Sequence, residues 1–291
     1  MSKFRNQSPL VSIIVIWGVL SFIYFVAVSF NRDQTPSSSD GLWQTEALQL
    51  KAANLELAKE IKSLKNSNLI SAEDVVYLRA QNGQDRYMYE NFFHNLGRPG
   101  IYIEFGARDG ISESNTYFYE KVLGWKGLMV EVMEAEYKQL VKNRPNTLTI
   151  NGAICPKPGF IQFSVSQIGG WHGIADSIPE ARKDKEAKLI TVPCYILNDV
   201  IEKAGFKRID WMSVDTEGSE YDVLAAFDFG KVIIDYIQVE CLTFEKVKME
   251  KIINLMESRG YELFNSFVVA DDTRDLMFRR TQKLVLFYCF F

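Results

Sequence analysis

The segment Asp215-Thr216-Glu217-Gly218 carries the strongest chemical signal in the chain. Two carboxylates flank a threonine just before a glycine. Held close together, such acids push each other's pKa values apart, and one of them can then serve as a base. The same side chains suit a second role, because Asp and Glu are favoured at helix starts, where they cap free backbone N–H groups. Both readings stand for Asp215 and Glu217. Glu240, closing Ile237-Gln238-Val239-Glu240, and His172, in Gly169-Gly170-Trp171-His172-Gly173, are the other base candidates. An imidazole titrates nearest neutrality, although a single histidine in a glycine-rich loop is also an ordinary surface residue. Trp171 beside it offers a face for a sugar ring or nucleobase, or an anchor for its loop.

A second group of residues is suited to holding a ligand rather than reacting with it. Residues 101–110 read IYIEFGARDG, an apolar run containing Glu104 that enters a bend at Gly106 and Ala107 and closes at Gly110. Glycine at such a bend lets a cofactor approach the backbone. The dinucleotide fingerprint G-x-G-x-x-G is absent here, since Arg108 stands in place of its middle glycine. By itself the G-A-x-x-G pattern is equally that of a structural turn. Glu131 closes the next apolar run, 21 residues beyond Gly110. An acid in that place can accept hydrogen bonds from both hydroxyls of a ribose.

These side chains converge only if strands end together. Strands are expected at 102–107, 127–131, 148–154, 209–214, 233–240, 261–269 and 283–288, with helices at 114–122, 135–142, 220–227 and 246–258. Alternation of this kind predicts an α/β domain over 76–291 with a mostly parallel sheet covered on both faces. Ligands then bind beyond the carboxyl ends of its strands. Two further strands near 160–166 and 189–196 read as an insertion. The acidic run Asp271-Asp272-Thr273-Arg274-Asp275 reads as a turn after the sixth strand, either solvated, or binding a divalent ion, or shaping an acceptor pocket.

The first 75 residues are of another kind. Residues 10–30 form a run of 21 residues without a charge, long enough at about 1.5 Å per residue to span a bilayer core of about 30 Å. That is longer than the apolar region of a cleaved signal, the other reading of this segment. Lys3 and Arg5 before the run outnumber Arg32 after it, which places the tail 1–9 in the cytosol. The expectation is a single-pass type II membrane protein of the secretory pathway (ER or Golgi) with its main domain in the lumen. A polar tether and helical stalk fill 31–75. Leu50, Leu57 and Leu64 at heptad spacing, with Asn54 between them, suit either a two-stranded coiled coil, and so a homodimer, or a solvated helix. Lys+Arg 33 against Asp+Glu 37 gives a net charge of −4, which argues against a nucleic-acid partner. Two histidines and four cysteines are too scattered for a zinc site, and no metal ligand is assigned. Cys155 and Cys194 can pair in an oxidising lumen, and Cys241 and Cys289 sit in apolar settings typical of buried thiols.

Taken together, residues 104–110, Glu131, Asn151-Gly152-Ala153 and Asp215-Thr216-Glu217-Gly218-Ser219-Glu220, followed by Val223-Leu224, resemble the FkbM-type methyltransferases. Residues 81–86 (QNGQDR), Ser114-Asn115-Thr116 and 124–127 (GWKG) further resemble a membrane-anchored eukaryotic branch of that family. The resemblance runs from about 81 to 278. It implies a class I methyltransferase fold, Rossmann-like with seven strands, that uses S-adenosyl-L-methionine. By that resemblance Glu104, Gly106, Ala107 and Gly110 surround the methionine portion, Glu131 holds the ribose, Asn151 and Ala153 lie near the adenine, and Asp215, with Glu217 beside it, reaches the departing methyl group. Members methylate hydroxyl oxygens, often on sugars or polyketides, so the acceptor expected here is a hydroxyl of a glycan, lipid or small molecule. Ser213 replaces a lysine common in bacterial members, so their substrates do not carry over. Star-type relatives imply an alternative, a membrane-anchored trafficking adaptor that keeps the fold without the chemistry.

Overall fold

A computed structural model of the chain describes residues 70–168, 171–270 and 272–281. The apolar run at 10–30 and the stalk helix expected after it lie outside the described residues. Among those described, no helix is long and apolar enough to cross a membrane.

Eleven strands form among the described residues: β1 (Ile101–Phe105), β2 (Lys126–Glu131), β3 (Leu148–Asn151), β4 (Ala153–Ile154), β5 (Gly159–Val165), β6 (Gly173–Ile174), β7 (Lys188–Tyr195), β8 (Arg208–Val214), β9 (Ile233–Leu242), β10 (Tyr261–Ala270) and β11 (Thr273–Arg280). The helices are α1 (Gln84–Met88), α2 (Tyr117–Lys121), α3 (Glu134–Asn143), α4 (Leu197–Ala204), α5 (Glu220–Ala226) and α6 (Lys246–Ser258).

Seven strands make one sheet in the order β10-β11-β9-β8-β1-β2-β3. The run from β9 to β3 is parallel, while β11 pairs antiparallel with both β9 and β10. The sheet is therefore mixed at one edge. Successive residues of the central strands go to opposite faces, as the two-residue period of a strand requires. Ile103, Phe105, Leu128 and Val130 join one apolar cluster with α4, α5 and α6, while Tyr102 and Met129 join another with Trp211 and Phe118. Both faces are thus sealed, and only the strand ends are open to a ligand.

Three expectations need correction. The seventh strand is β11, at Thr273–Arg280, and residues 283–288 lie outside the described residues. β11, where no strand was expected, is stitched between β9 and β10 by inward Leu276, Met277 and Phe278, with Arg279 and Arg280 at its exposed end. Consequently Asp275 belongs to a strand, not a turn. The expected strand at 148–154 breaks at Gly152: β3 stays in the main sheet, and β4 joins the insertion, a second sheet of order β4-β7-β5-β6. The helix expected at 114–122 forms only at Tyr117–Lys121, because residues before it are held in loop form by Glu104. Two helices, α1 and α4, were not anticipated.

Candidate active site

β2, β1, β8 and β9 lie side by side and parallel, so their carboxyl ends open on one edge of the sheet. A cavity of about 630 Å³ lies there, its wall including Gly106, Glu131, Ala153, Asp215, Glu217 and Glu240. Trp171 and His172, from the insertion, line it as well. The volume is that of a small-molecule site. A smaller cavity of about 50 Å³ adjoins it, bordered by Glu104, Ala107, Ser213, Gln238 and Asp275. Asp215 and Glu240 reach both cavities.

The bend after β1 brings two backbones close together. Gly106 has φ 67°, and a Cβ there would fall 2.9 Å from the Asp215 carbonyl oxygen and 3.3 Å from its Oδ2. Any side chain would wedge apart the two elements that make the wall. The Ala107 N–H donates to the Val130 carbonyl at 3.2 Å, tying the bend to β2. Gly110 lies outside both cavity walls. A Cβ on it would meet Leu140 Cδ1 at 2.6 Å and Arg144 Cγ at 2.8 Å, so that glycine serves the packing of α3.

Behind the bend, acids and bases are fully matched. Glu104 is buried and accepts from Ser114 Oγ at 2.9 Å, from the Asn115 N–H at 2.8 Å and from Thr116 Oγ1. Burial raises its pKa, and these donors together with Arg144 oppose the rise. Arg144, wholly buried, donates to Glu120 at 2.5 Å, the Tyr102 hydroxyl at 2.7 Å and the Gly110 carbonyl at 2.8 Å. This arginine holds the whole loop from Gly110 to Thr116. Nothing in the sequence singles it out, since a lone Arg after an amphipathic helix is commonplace.

At the end of β2, Glu131 accepts from the Arg108 N–H at 2.7 Å and the Met133 N–H at 2.6 Å, one on each oxygen. Burial pushes its pKa up and the amides pull it back. Each oxygen keeps a further lone pair, so an oriented acceptor remains on the cavity wall. Asn151 does not line the cavity. Its Nδ2 donates to the carbonyls of Glu131 at 2.9 Å and Val132 at 3.1 Å, fixing the strand end that presents Glu131.

The acidic turn after β8 separates the two roles that its sequence left open. Glu220 is the capping carboxylate, accepting from the N–H of Thr216 at 3.2 Å, the Thr216 hydroxyl at 3.0 Å and the N–H of Gly218 at 2.8 Å. Asp215 and Glu217 are thereby released from capping. Glu217 pairs with Arg182 at 2.9 Å, and Arg182, on the insertion, also holds Asp272 at 2.7 Å. Among the described residues, Asp215 Oδ1 is buried without a hydrogen-bond partner. One oxygen each of Asp215, Glu217 and Glu240 lies within 4.8 Å of the others. Burial first raises the pKa of all three, and nearby acids add to it, Glu220 foremost for Asp215 and Asp215 foremost for the other two, carrying Asp215 to about 7 and Glu217 and Glu240 further.

His172 is placed differently from a free base. Its Nδ1 accepts from the Ser166 N–H at 3.1 Å, so the neutral ring carries its proton on Nε2 and has no lone pair left to take another. Burial, with positive Arg108 next, lowers its pKa. Asp275 is buried between Gln84 Nε2 at 2.6 Å and Gln238 Nε2 at 2.9 Å, and burial pushes it up to about 6. Asp271 lies outside the described residues. Ser213, standing where the lysine of bacterial relatives would be, is buried and accepts from Asn115 Nδ2 at 3.1 Å. Cys155 and Cys194 form a disulfide between β4 and β7, with Cα atoms 5.8 Å apart, while Cys241 is a buried free thiol and Cys289 lies outside the described residues.

Among solved structures, the chain is similar to the Methanococcus jannaschii fibrillarin pre-rRNA processing protein, at 11% identity and TM-score 0.40 over 63% of this chain and 67% of that one. It is similar to Aeropyrum pernix fibrillarin with natively bound S-adenosyl-L-methionine, at 12% identity and TM-score 0.39 over 62% and 66%. The METTL16 methyltransferase domain is matched at 10% identity and TM-score 0.42 over 67% and 65%. The chain thus spans about two thirds of the length of each. No curated protein matches it. The methyltransferase FkbM domain matches residues 104–263, more than half of the 291 residues and the whole stretch from Glu104 through Glu131 and Asp215 to Glu240. The chain therefore belongs to the FkbM methyltransferase family.

Proposed function

We propose that this methyltransferase acts on a hydroxyl oxygen of a glycan, lipid or other small acceptor, with S-adenosyl-L-methionine as its cofactor. The observation that carries the reading is one cavity bordered at once by the bare backbone of Gly106, the amide-held carboxylate of Glu131 and the unpartnered oxygen of Asp215. Those features fit the cofactor. Gly106 leaves room for a ligand against the chain, Glu131 offers an acceptor to a ribose diol, and Ala153 gives the apolar wall an adenine needs. The acidic end of the cavity suits a positive sulfonium.

When bound, the cofactor supplies an electrophilic methyl group. The chain's own task is to bring an acceptor oxygen into line with it and to exclude water. An alcohol must also lose its proton as it reacts. Asp215 is the acid of the cluster whose pKa lies nearest neutrality, and it is the proton acceptor in this reading. Trp171 provides a flat apolar face on which a sugar can stack.

An N-terminal membrane anchor at 10–30, a lumenal catalytic domain and a stalk-mediated homodimer are the remaining parts of the proposal. The Cys155–Cys194 disulfide supports a secretory compartment, because such bonds persist where the surroundings are oxidising. Membership in a methyltransferase family favours the enzyme over the adaptor alternative. Calorimetry with S-adenosyl-L-methionine on the full chain tests the site. Glu131→Ala is expected to weaken binding by about 2 kcal/mol through lost charge-assisted hydrogen bonds. An unchanged affinity would place the ribose elsewhere.

A further inference from the structure

We propose that Asp215, Glu217 and Glu240 form a binding site for one hard divalent cation at the carboxyl ends of β8 and β9. Three carboxylate oxygens within 4.8 Å of one another match the spacing of oxygens around a single Mg²⁺, Mn²⁺ or Ca²⁺ ion, roughly 3 to 5 Å. An all-oxygen set of this kind selects those ions over zinc or copper. The turn that carries two of the three ligands is already strapped by Glu220, so little ordering remains to be done on binding.

Two neutral side chains outside the acidic trio point the same way. Gln238 is 3% exposed, and its Nε2 is committed to Asp275 at 2.9 Å. Its Oε1 is fixed as a pure acceptor and has no partner among the described residues, and Gln238 borders the small cavity shared with Asp215 and Glu240. Ser219 is 2% exposed, and its Oγ is likewise without a partner on the wall shared by all three carboxylates. Buried acceptors without donors are costly unless something positive or hydrogen-bonding meets them. Among the described residues, the nearby cations Arg182 and Lys248 are engaged elsewhere as well. Arg182 reaches only Glu217 of the trio and divides itself with Asp272, while Lys248 is held by the Gly218 carbonyl and Glu245. Among the described residues, neither Asp215 nor Glu240 has an ion-pair partner.

The site deepens the methyl-transfer reading and rests on it for its purpose. A cation held there would make an acceptor hydroxyl that ligates it easier to ionise, and Asp215, with one oxygen toward the cation, would keep its other oxygen to take the released proton. The S-adenosyl-L-methionine pocket itself does not depend on it.

Titration of the EDTA-stripped full chain with Mn²⁺, without S-adenosyl-L-methionine, is the direct test. One ion per chain is expected, together with a rise in Tm. Asp215→Asn and Glu240→Gln should each weaken Mn²⁺ binding at least tenfold, while Glu262→Gln, an exposed surface acid, leaves it unchanged. Terbium luminescence excited through Trp171, which lines the same cavity, locates the ion without touching a ligand, and excess Ca²⁺ should quench it. Absence of saturable Mn²⁺ and Ca²⁺ binding, binding that survives both ligand variants, or no Trp171-sensitised emission overturns the site. A parallel titration with S-adenosyl-L-methionine separates the two ideas: cofactor binding without cation binding removes only the cation, and cation binding without cofactor binding removes only the cofactor pocket.

Discussion

Two acidic regions sit at neighbouring strand ends, and they are built on opposite principles. Behind the bend after β1, Glu104 and Glu120 are buried, yet each has donors on its oxygens and Arg144 supplies the opposing charge. At the ends of β8 and β9, Asp215, Glu217 and Glu240 crowd together, and among the described residues Arg182 pairs with Glu217 and no cation pairs with the other two. The first arrangement is what a buried acid needs to be tolerated. The second leaves carboxyl groups and their lone pairs uncommitted at a cavity wall, which is what a site needs. Matched acids build the scaffold, and unmatched acids mark where a ligand belongs.

Breaking the matched region should have the largest effect. Arg144→Met removes the buried cation that faces both Glu120 and Glu104, stranding Glu104 in the interior and leaving Glu120 with the partly exposed Lys121 at 3.3 Å. Loss of one partner from a buried pair costs about 3–5 kcal/mol, so denaturant unfolding should register a loss of that size, with turnover falling only as the folded fraction falls. A variant as stable as the native chain would mean that the loop from Gly110 to Thr116 is held by something else.

The unmatched region should give the reverse pattern. Asp215→Asn relieves repulsion within the trio, so Tm should hold or rise, while turnover drops on the order of 10²-fold, the scale of a lost proton acceptor. A fall in stability comparable to that of Arg144→Met would make Asp215 a structural acid and erase the contrast between the two regions.

The contrast also predicts opposite responses to pH in cation-free protein. Burial would raise the Glu120 pKa, but Arg144, Thr147 and Tyr102 overcome it and hold the group below the usual glutamate value. Its contribution to stability is present above about pH 4.5 and is lost as pH falls through the lowered value. Asp215 is raised from 3.8 to about 7 by burial and by Glu220 and Asp275. The folded state therefore binds more protons than the unfolded one, and stability declines as pH rises from about 4 to about 7. Thermal melts across that range should lose part of this decline in Asp215→Asn, and part of the acid limb in Glu120→Gln. Identical profiles for all three proteins would remove the distinction.

Sequence made the unmatched region readable and the matched one invisible. Asp215 and Glu240 each close an apolar strand-forming run, and Glu217 follows Asp215 in the turn, so period and position bring them to one edge of a sheet. Glu131 is legible for the same reason. Arg144 and Arg182 are not, because their partners lie 24 to 90 residues away, at Glu120, Glu217 and Asp272, and only the folded chain brings them together. Glu220 shows the limit from the other side. Three acids within six positions can each cap a helix, and geometry alone chose the one that does. The fold was legible along its parallel core, where both sealed faces give continuous apolar runs. It failed at the antiparallel edge, where β11 mixes Arg and Asp with its inward Leu276, Met277 and Phe278.

The smallest effect should come from His172, although its residue type makes it the obvious base. With Nδ1 accepting the Ser166 N–H at 3.1 Å, a neutral imidazole presents Nε2–H to the cavity and can only donate. Taking up a substrate proton would require breaking that bond, and the ring's lowered pKa opposes the imidazolium as well. Its contribution is then to hold the loop after β5 and to offer a donor to a bound acceptor. His172→Gln keeps a side chain able to accept from the amide, so turnover should change by no more than a few-fold, with any loss falling on acceptor KM. A hundredfold drop in kcat at unchanged KM, with the pH dependence near neutrality abolished, would transfer the proton from the acidic cluster to the imidazole and reverse the assignment of chemistry between the two.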